Sequence, residues 1–240
     1  YKRQQFTGAE LVADKWNLSR EDLDKFALES HQKAAHATES KYFDREILPI
    51  EGRNAEGMND LVMADEGIRF DASLEKLAGL NPVTEGGVIT AGNASQITDG
   101  AAAVMVCNDA GLKKIQANPR AEIVSISVVG DDPVFMLTGP IPASIQALKT
   151  ANLTIDDMDL YEVNEAFAPV PLAWAEDLKA DRSKLNVNGG AMALGHPLGA
   201  TGAKLMTTLL HEMERRESTY GLQAICEGGG TANATIIKRI

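Results

Sequence analysis

The 240-residue chain is long enough to form one large domain or two small ones. Its content of 44% hydrophobic and 24% charged residues is typical of globular proteins, and the net charge of −11 argues against a nucleic-acid partner. The longest apolar run, residues 101–107, is too short to cross a membrane. Cys107 and Cys226 have neither disulfide-framework nor zinc-site spacing, so we expect a reducing, cytoplasmic setting and no bound metal.

The first hundred residues are polar, helical at the start and then rich in loops. Ser19 followed by Glu21, Asp22 and Asp24 forms an N-cap with an acidic first turn, and apolar residues then recur at helical spacing. This pattern predicts a helix over residues 20–37. A short strand over 46–50 should follow, and then glycine-rich chain that covers a site or a partner.

Beyond residue 100, apolar β-rich runs alternate with helical patterns, which indicates an α/β fold. From residue 122 the predicted order is βαβαβαββ, a mixed five-stranded sheet covered by helices. The predicted elements are a strand over 101–107 with a short helix from 110, strands over 122–129, 159–163, 185–187, 222–226 and 234–238, and helices over 142–150, 166–178 and 199–216.

Three reactive side chains stand at the predicted carboxyl ends of strands or in the loops that follow. They are Asn164, His196 and Cys226. Ligands of open α/β sheets collect at that edge, so an amide, an imidazole and a thiol there suggest proton transfer and oxyanion binding. Each also has an ordinary alternative, because a buried cysteine often only fills space and a lone histidine is often a satisfied structural group.

The glycine-rich segment over 189–202 leads directly into a predicted helix. It is not a Walker loop, because Ala203 separates Gly202 from Lys204 and Leu205 stands where the metal-binding hydroxyl is needed. Residues without a Cβ allow close backbone approach, so the glycines more plausibly let His196 reach a substrate.

Four stretches together resemble the thiolases, the acetyl-CoA C-acyltransferases and acetyltransferases. They are Asn-Glu-Ala-Phe-Ala at 164–168, the segment over 188–202, Cys-Glu-Gly-Gly-Gly at 226–230, and Thr-Ala-Gly-Asn-Ala-Ser at 90–95 with Asp-Gly-Ala-Ala at 99–102. The resemblance covers the whole chain and implies a thiolase-like fold. It divides the chain into a loop domain over 1–99, a last strand and helix of the family's N-terminal half over 100–120, and a C-terminal domain over 121–240.

The resemblance implies roles for four catalytic residues. His196 would activate the nucleophile and donate to the thioester oxygen, and Asn164 would hold a water that completes this oxyanion hole. Cys226 would move a proton on the second substrate, at the acetyl α-carbon or the CoA thiol. The backbone N–H of Gly228 would help form a second oxyanion hole.

The resemblance also implies a substrate class and its contacts. Ser95 and Ala91 would contact the pantetheine arm of coenzyme A, and Phe167 would help to wall the acyl pocket. Coenzyme A is then a substrate, and no separate cofactor is implied. We expect acyl-CoA and CoA as partners in fatty acid metabolism by β-oxidation, no membrane or nucleic acid, and a homodimer or homotetramer as the complete assembly.

The family's nucleophilic cysteine lies in an N-terminal half that we expect to be absent from this chain. Cys107 lacks the nucleophile motif and is expected to be apolar core filler. The isolated chain should therefore be inactive, and its unpaired strand over 101–107 should make it prone to aggregate. Two alternatives stay open: a noncatalytic acyl-CoA or sterol-CoA binding module, and a scaffold subunit whose partner brings its own cysteine. A decarboxylating ketoacyl synthase is a weaker alternative, because its chemistry needs a pair of histidines.

Overall fold

The computed structural model describes residues 2–53 and 56–240. The elements in chain order are α1 (Lys2–Lys15), α2 (Arg20–Glu39), β1 (Ile50–Arg53), β2 (Asn59–Val62), α3 (Leu74–Ala78), α4 (Asp109–Ile115), β3 (Ala121–Gly130), α5 (Pro140–Ala151), β4 (Leu160–Val163), α6 (Pro169–Leu178), α7 (Ala191–Leu194), α8 (Thr201–Arg215), β5 (Tyr220–Cys226) and β6 (Thr231–Arg239). None of the helices in these two ranges has the length and hydropathy needed to cross a membrane.

The C-terminal part is a mixed sheet with helices on both faces, as the sequence predicts. The strand order is β3-β6-β5-β4, in which β4 and β5 are parallel and the other pairs are antiparallel. On one face α5 and α6 pack together, and the Trp174 indole donates a hydrogen bond to the Ser144 hydroxyl. On the other face Leu209 and Met213 of α8 pack on Leu160 of β4.

The predicted fifth strand over 185–187 is wrong, and the side chain of Asn186 explains why. Leu185 makes only one isolated bridge, to Tyr161 of β4. Asn186 has a positive φ of 43°, and its side-chain amide both accepts from the N–H and donates to the carbonyl of Val163 at 2.9 Å. The side-chain amide thus makes the two hydrogen bonds to Val163 that the backbone of a fifth strand would make. The sheet therefore has four strands.

The predicted strand over 101–107 is also wrong. The segment has no regular structure and is exposed, including Cys107, which is therefore not core filler. No strand among the described residues lies beside it, and a strand needs a partner for its backbone hydrogen bonds. The short helix after it is confirmed as α4. The strand predicted over 46–50 lies later in the chain, as β1, where it forms a hairpin with β2.

The helices of the N-terminal part pack against the C-terminal part. The predicted helix over 20–37 is confirmed as α2, whose capping box joins Ser19 and Asp22. Helix α1 packs on α6, and the Phe6 ring of α1 meets the Phe167 ring, just before α6, edge to face at 5.2 Å. Helix α2 packs on α7, directly before His196. The boundaries predicted at 99/100 and 120/121 stay predictions.

Candidate active site

Asn164 and His196 meet at the carboxyl end of β4. Asn164 directly follows β4, and its side-chain Nδ2 lies 3.4 Å from Nε2 of His196. The residue is 1% exposed, whereas His196 is half-buried. No hydrogen-bond partner is found for the buried Oδ1 of Asn164 among the described residues, so this acceptor is unsatisfied by the protein atoms around it.

Thr201, the first residue of α8, fixes the proton position on His196. Its hydroxyl donates to the Pro197 carbonyl at 2.9 Å and lies 2.6 Å from Nδ1 of His196. With its proton directed to the Pro197 carbonyl, the hydroxyl accepts from His196 Nδ1–H, and this tautomer also suits the approach of the Asn164 amide nitrogen to Nε2. Nε2 then carries the lone pair, which faces the N–H of Asn164 Nδ2. Burial, and then the charge of Lys204, lower the pKa of His196, so the ring is held neutral.

A glycine allows the sharp turn before His196. Gly195 has a φ of +82°, and a Cβ there would collide with the Thr98 side chain. The backbone N–H of His196 in turn donates to the Gln96 carbonyl at 3.1 Å. The turn is thus held against the segment over 93–98.

The segment around Ser95 also lies against the loop that follows β4. Ser95 N–H donates to the Ala166 carbonyl at 3.0 Å, and Ala168 N–H donates to the Asn93 carbonyl at 2.9 Å. Ser95 is half-buried and Ala91 is exposed, so both are accessible to a ligand. Phe167 is 6% exposed and mostly covered. Their predicted contacts with pantetheine and acyl group stay predictions.

Cys226 reaches the same end of the sheet through strand pairing. Val163 of β4 pairs with Ala224 of β5, and Asn164 N–H donates to the Ala224 carbonyl at 3.0 Å, two residues before Cys226. Burial, with a contribution from Glu227, raises the pKa of the Cys226 thiol to about 12. The structure thus joins Asn164 to His196 directly, and brings Cys226 to their edge of the sheet by register.

Gly228 and Glu227 lie in the exposed turn after Cys226. The Glu227 carboxylate accepts from the Asn233 side chain at 2.6 Å and from the Thr231 hydroxyl at 3.3 Å. These contacts tie it to β6. The predicted role of the Gly228 N–H in an oxyanion hole stays a prediction.

Glu165 is a buried organising residue that the sequence analysis did not single out. Its carboxylate accepts from the Ser30 hydroxyl, the Asn186 amide and the Met192 N–H at 2.7, 2.9 and 3.2 Å. It therefore joins α2 to α7 at Met192, which lies four residues before His196. An acidic residue next to Asn164, two residues after a predicted strand, was the signal available in the sequence.

Gln96 was also missed, and it connects three parts of the chain. Its side-chain Nε2 donates to the carbonyls of Gly67 and Met192, both at 2.7 Å. No group of three or more metal-ligand side chains is found in ranges 2–53 and 56–240.

Comparison with known proteins agrees with this arrangement. A family model described as "Thiolase, N-terminal domain" matches residues 3–110, and one described as "Thiolase, C-terminal domain" matches residues 117–239. A steroid 3-ketoacyl-CoA thiolase of Mycobacterium tuberculosis is 54% identical over 236 residues, 98% of this chain and 56% of that protein. The human mitochondrial 3-ketoacyl-CoA thiolase is 46% identical over 231 residues, 96% of this chain and 58% of that protein.

Solved structures share the fold. An acetyl-CoA acetyltransferase of Bacillus anthracis superposes with a TM-score of 0.93 at 40% identity, over 98% of this chain and 60% of that one. The human mitochondrial 3-ketoacyl-CoA thiolase in complex with CoA gives 0.89 at 41% identity, over 98% and 58%. The chain thus spans about three fifths of the length of the proteins that it matches.

Proposed function

Because the chain belongs to the thiolase family, we propose that it contributes His196, Asn164 and Cys226 to an acyltransferase active site. The reaction is acyl transfer between acyl-CoA and CoA or acetyl-CoA, either as thiolytic cleavage of a 3-ketoacyl-CoA or as Claisen condensation. The observation that carries the proposal is the 3.4 Å approach of Asn164 Nδ2 to His196 Nε2.

The neutral imidazole is suited to two successive tasks. With its proton on Nδ1, His196 can accept the proton of a nucleophilic thiol at Nε2. The resulting Nε2–H then donates to the thioester oxygen as negative charge develops there. Asn164 adds a water-holding amide beside it, in a site where such donors act most strongly because charge appears only in the transition state.

Cys226 is suited to move a proton on the second substrate. Its raised pKa keeps the thiol protonated near neutral pH, so it can protonate the acetyl-CoA carbanion released by cleavage of the carbon–carbon bond. The thiolate that remains then takes the proton of the incoming CoA thiol. The two transfers balance, and Cys226 ends in its starting state.

Covalent catalysis needs a further thiol that accepts the acyl group. Cys107 is exposed and lies in the irregular segment before α4, and Cys226 is already used for proton transfer. We therefore propose that this chain alone does not turn over substrate. A longer form of the protein that also contains the family's nucleophilic cysteine, here called the extended product, should do so.

The test follows loss of the magnesium-enolate absorbance of acetoacetyl-CoA when CoA is added. We expect no loss with the chain alone and a clear loss with the extended product. In the extended product, His196→Ala should nearly abolish the loss, whereas His36→Ala, at an exposed histidine of α2, should leave it unchanged. An unchanged rate in His196→Ala would overturn the assigned role.

Binding measurements separate the alternative functions. CoA binding by calorimetry, without turnover by the extended product, would favour a noncatalytic acyl-CoA or sterol-CoA binding module. Absence of both would favour a scaffold subunit. The names of the relatives span steroid and other 3-ketoacyl-CoA substrates, so turnover with acetoacetyl-, long-chain and sterol-derived 3-ketoacyl-CoA thioesters would identify the acyl group.

We also propose a cytoplasmic homodimer or homotetramer that uses CoA as substrate and requires no additional cofactor. Both cysteines are free, which is consistent with a reducing compartment. Light scattering of the extended product and cell fractionation test the assembly and the location. Undiminished turnover after dialysis against a chelator is the expected result for a metal-independent reaction.

A further inference from the structure

Lys204 lies directly behind the His196 turn. It is three residues after Thr201 on α8, so both side chains lie on the same side of the helix. Its Nζ donates to the Leu194 carbonyl at 2.5 Å, two residues before His196. The side chain is 24% exposed. A mostly buried ammonium thus holds the turn that presents the imidazole.

Acidic side chains from other parts of the chain act on the charge of this ammonium. Asp65, in the segment after the β1–β2 hairpin, lies 3.7 Å from Nζ. Glu46, from the segment after α2, also acts on its charge, and burial raises the pKa of Glu46 to about 7. Glu162 lines a small cavity together with Thr201 and Lys204.

We propose that Lys204 is a positioning residue, which holds the His196 turn through the Leu194 carbonyl and adds its charge to burial in keeping His196 unprotonated, and that Asp65 sets the strength of this charge effect. The inference rests on the proposed function, in which His196 must accept a proton at Nε2. It adds an electrostatic control that reaches the site from the β1–β2 side of the chain.

The charges around His196 support this sign. Burial is the larger cause of the lowered pKa of His196, and the charge of Lys204 adds to it. Burial lowers the pKa of Lys204 as well, and Asp65 opposes that shift. The positive end of the α8 dipole acts in the same direction, because His196 lies just before that helix. Asn164 and Thr201 contact the ring as uncharged groups, and Cys226 stays a neutral thiol below its pKa of about 12.

The two partners predict shifts of opposite sign. Loss of the Lys204 charge leaves the nearby carboxylates uncompensated, so the pKa of His196 should rise. Loss of the Asp65 charge leaves the ammonium less compensated, so the pKa of His196 should fall. A purely structural loosening of the turn would expose His196 to water in both variants and shift its pKa in the same direction.

The experiment is an NMR titration of the His196 imidazole in the chain with its natural sequence and in Lys204→Met, Lys204→Arg and Asp65→Asn. Far-UV circular dichroism checks that each variant is folded. We expect a rise of about half a pH unit or more in Lys204→Met, a fall in Asp65→Asn, and little change in Lys204→Arg, which keeps the charge.

An unchanged His196 pKa in folded Lys204→Met, or shifts of the same sign in Lys204→Met and Asp65→Asn, would overturn the inference. The titration needs no turnover, so it gives a result even if the proposed acyl transfer fails. If the extended product is active, the acidic limb of its kcat/KM profile should shift in the same direction as the titration in each variant.

Discussion

Glu162→Gln should stabilise the protein, and the gain should grow with pH. Glu162 is 2% exposed on β4, and no hydrogen-bond partner is found for its Oε2 in the described part of the chain. Burial, together with the nearby acidic groups, raises the pKa of its carboxyl well above 4.5. The folded protein therefore holds this side chain as a neutral acid, which a glutamine amide replaces at nearly the same size.

The magnitude follows from proton linkage. Above pH 4.5 the unfolded chain releases the Glu162 proton while the folded chain retains it, so the free energy of unfolding falls as the pH rises toward the folded pKa. The slope is about 1.4 kcal/mol per pH unit. Glutamine removes this penalty, so the variant should be more stable at each pH above 4.5, by a margin that grows as the pH rises.

Urea unfolding at pH 5, 6 and 7 measures the effect, and Glu165→Gln is the matched comparison. Glu165 is equally buried, but both of its oxygens accept hydrogen bonds, so an amide must place N–H against a donor there. That variant should lose about 1–3 kcal/mol at pH 5. A Glu162→Gln variant whose gain is independent of pH, or which is destabilised at pH 7, would refute the assignment of a neutral Glu162.

Two further substitutions test the hydrogen bond of Thr201 to the imidazole and the packing of Gly190 against Glu165. Thr201→Val removes the acceptor for His196 Nδ1–H and should lower turnover of the extended product by about 10- to 100-fold, whereas Thr207→Val, which removes a similar hydroxyl from the same helix away from the imidazole, should retain it. Equal losses in the two variants would contradict the tautomer assignment. Gly190→Ala would press a Cβ against the buried Glu165 carboxylate and should lower the free energy of unfolding by about 1–3 kcal/mol in a urea titration. Gly199→Ala, which meets open space, is the control, and a comparable loss there would show that packing at Gly190 is not the cause.

Patterns that depend on local chemistry predicted much of the fold. The capping box of α2 and the apolar stripe of α8 lie within single segments, so the sequence alone contains the necessary information. The failures depend on distant partners. The segment over 101–107 reads as a buried strand, but its pairing depends on neighbours that no local pattern contains. Asn186 ends a β-like run because its side chain reaches Val163, 23 residues earlier.

The site shows the same division. Asn164 was found at the end of a predicted strand and His196 in the glycine-rich loop before a predicted helix, and the structure brings their side chains together. Lys204 entered the sequence analysis only as a lysine that does not fit a phosphate loop. Its contact with Asp65 joins residues 139 positions apart, and only the folded chain reveals that its ammonium binds the Leu194 carbonyl in the turn before His196.

The alternation of side chains along β4 links the stability of the sheet to the charge at the imidazole. Leu160 faces α8, and so does Glu162, two residues later; Asn164 continues the series to His196 at the end of the strand. Because Glu162 is neutral in the folded protein, Glu162→Gln changes no charge beside α8. The same NMR titration should therefore give an unchanged His196 pKa in Glu162→Gln, in contrast to the fall expected in Asp65→Asn. A fall in Glu162→Gln would mean that Glu162 is ionised and compensates Lys204, and the pH-dependent stabilisation would then be absent as well.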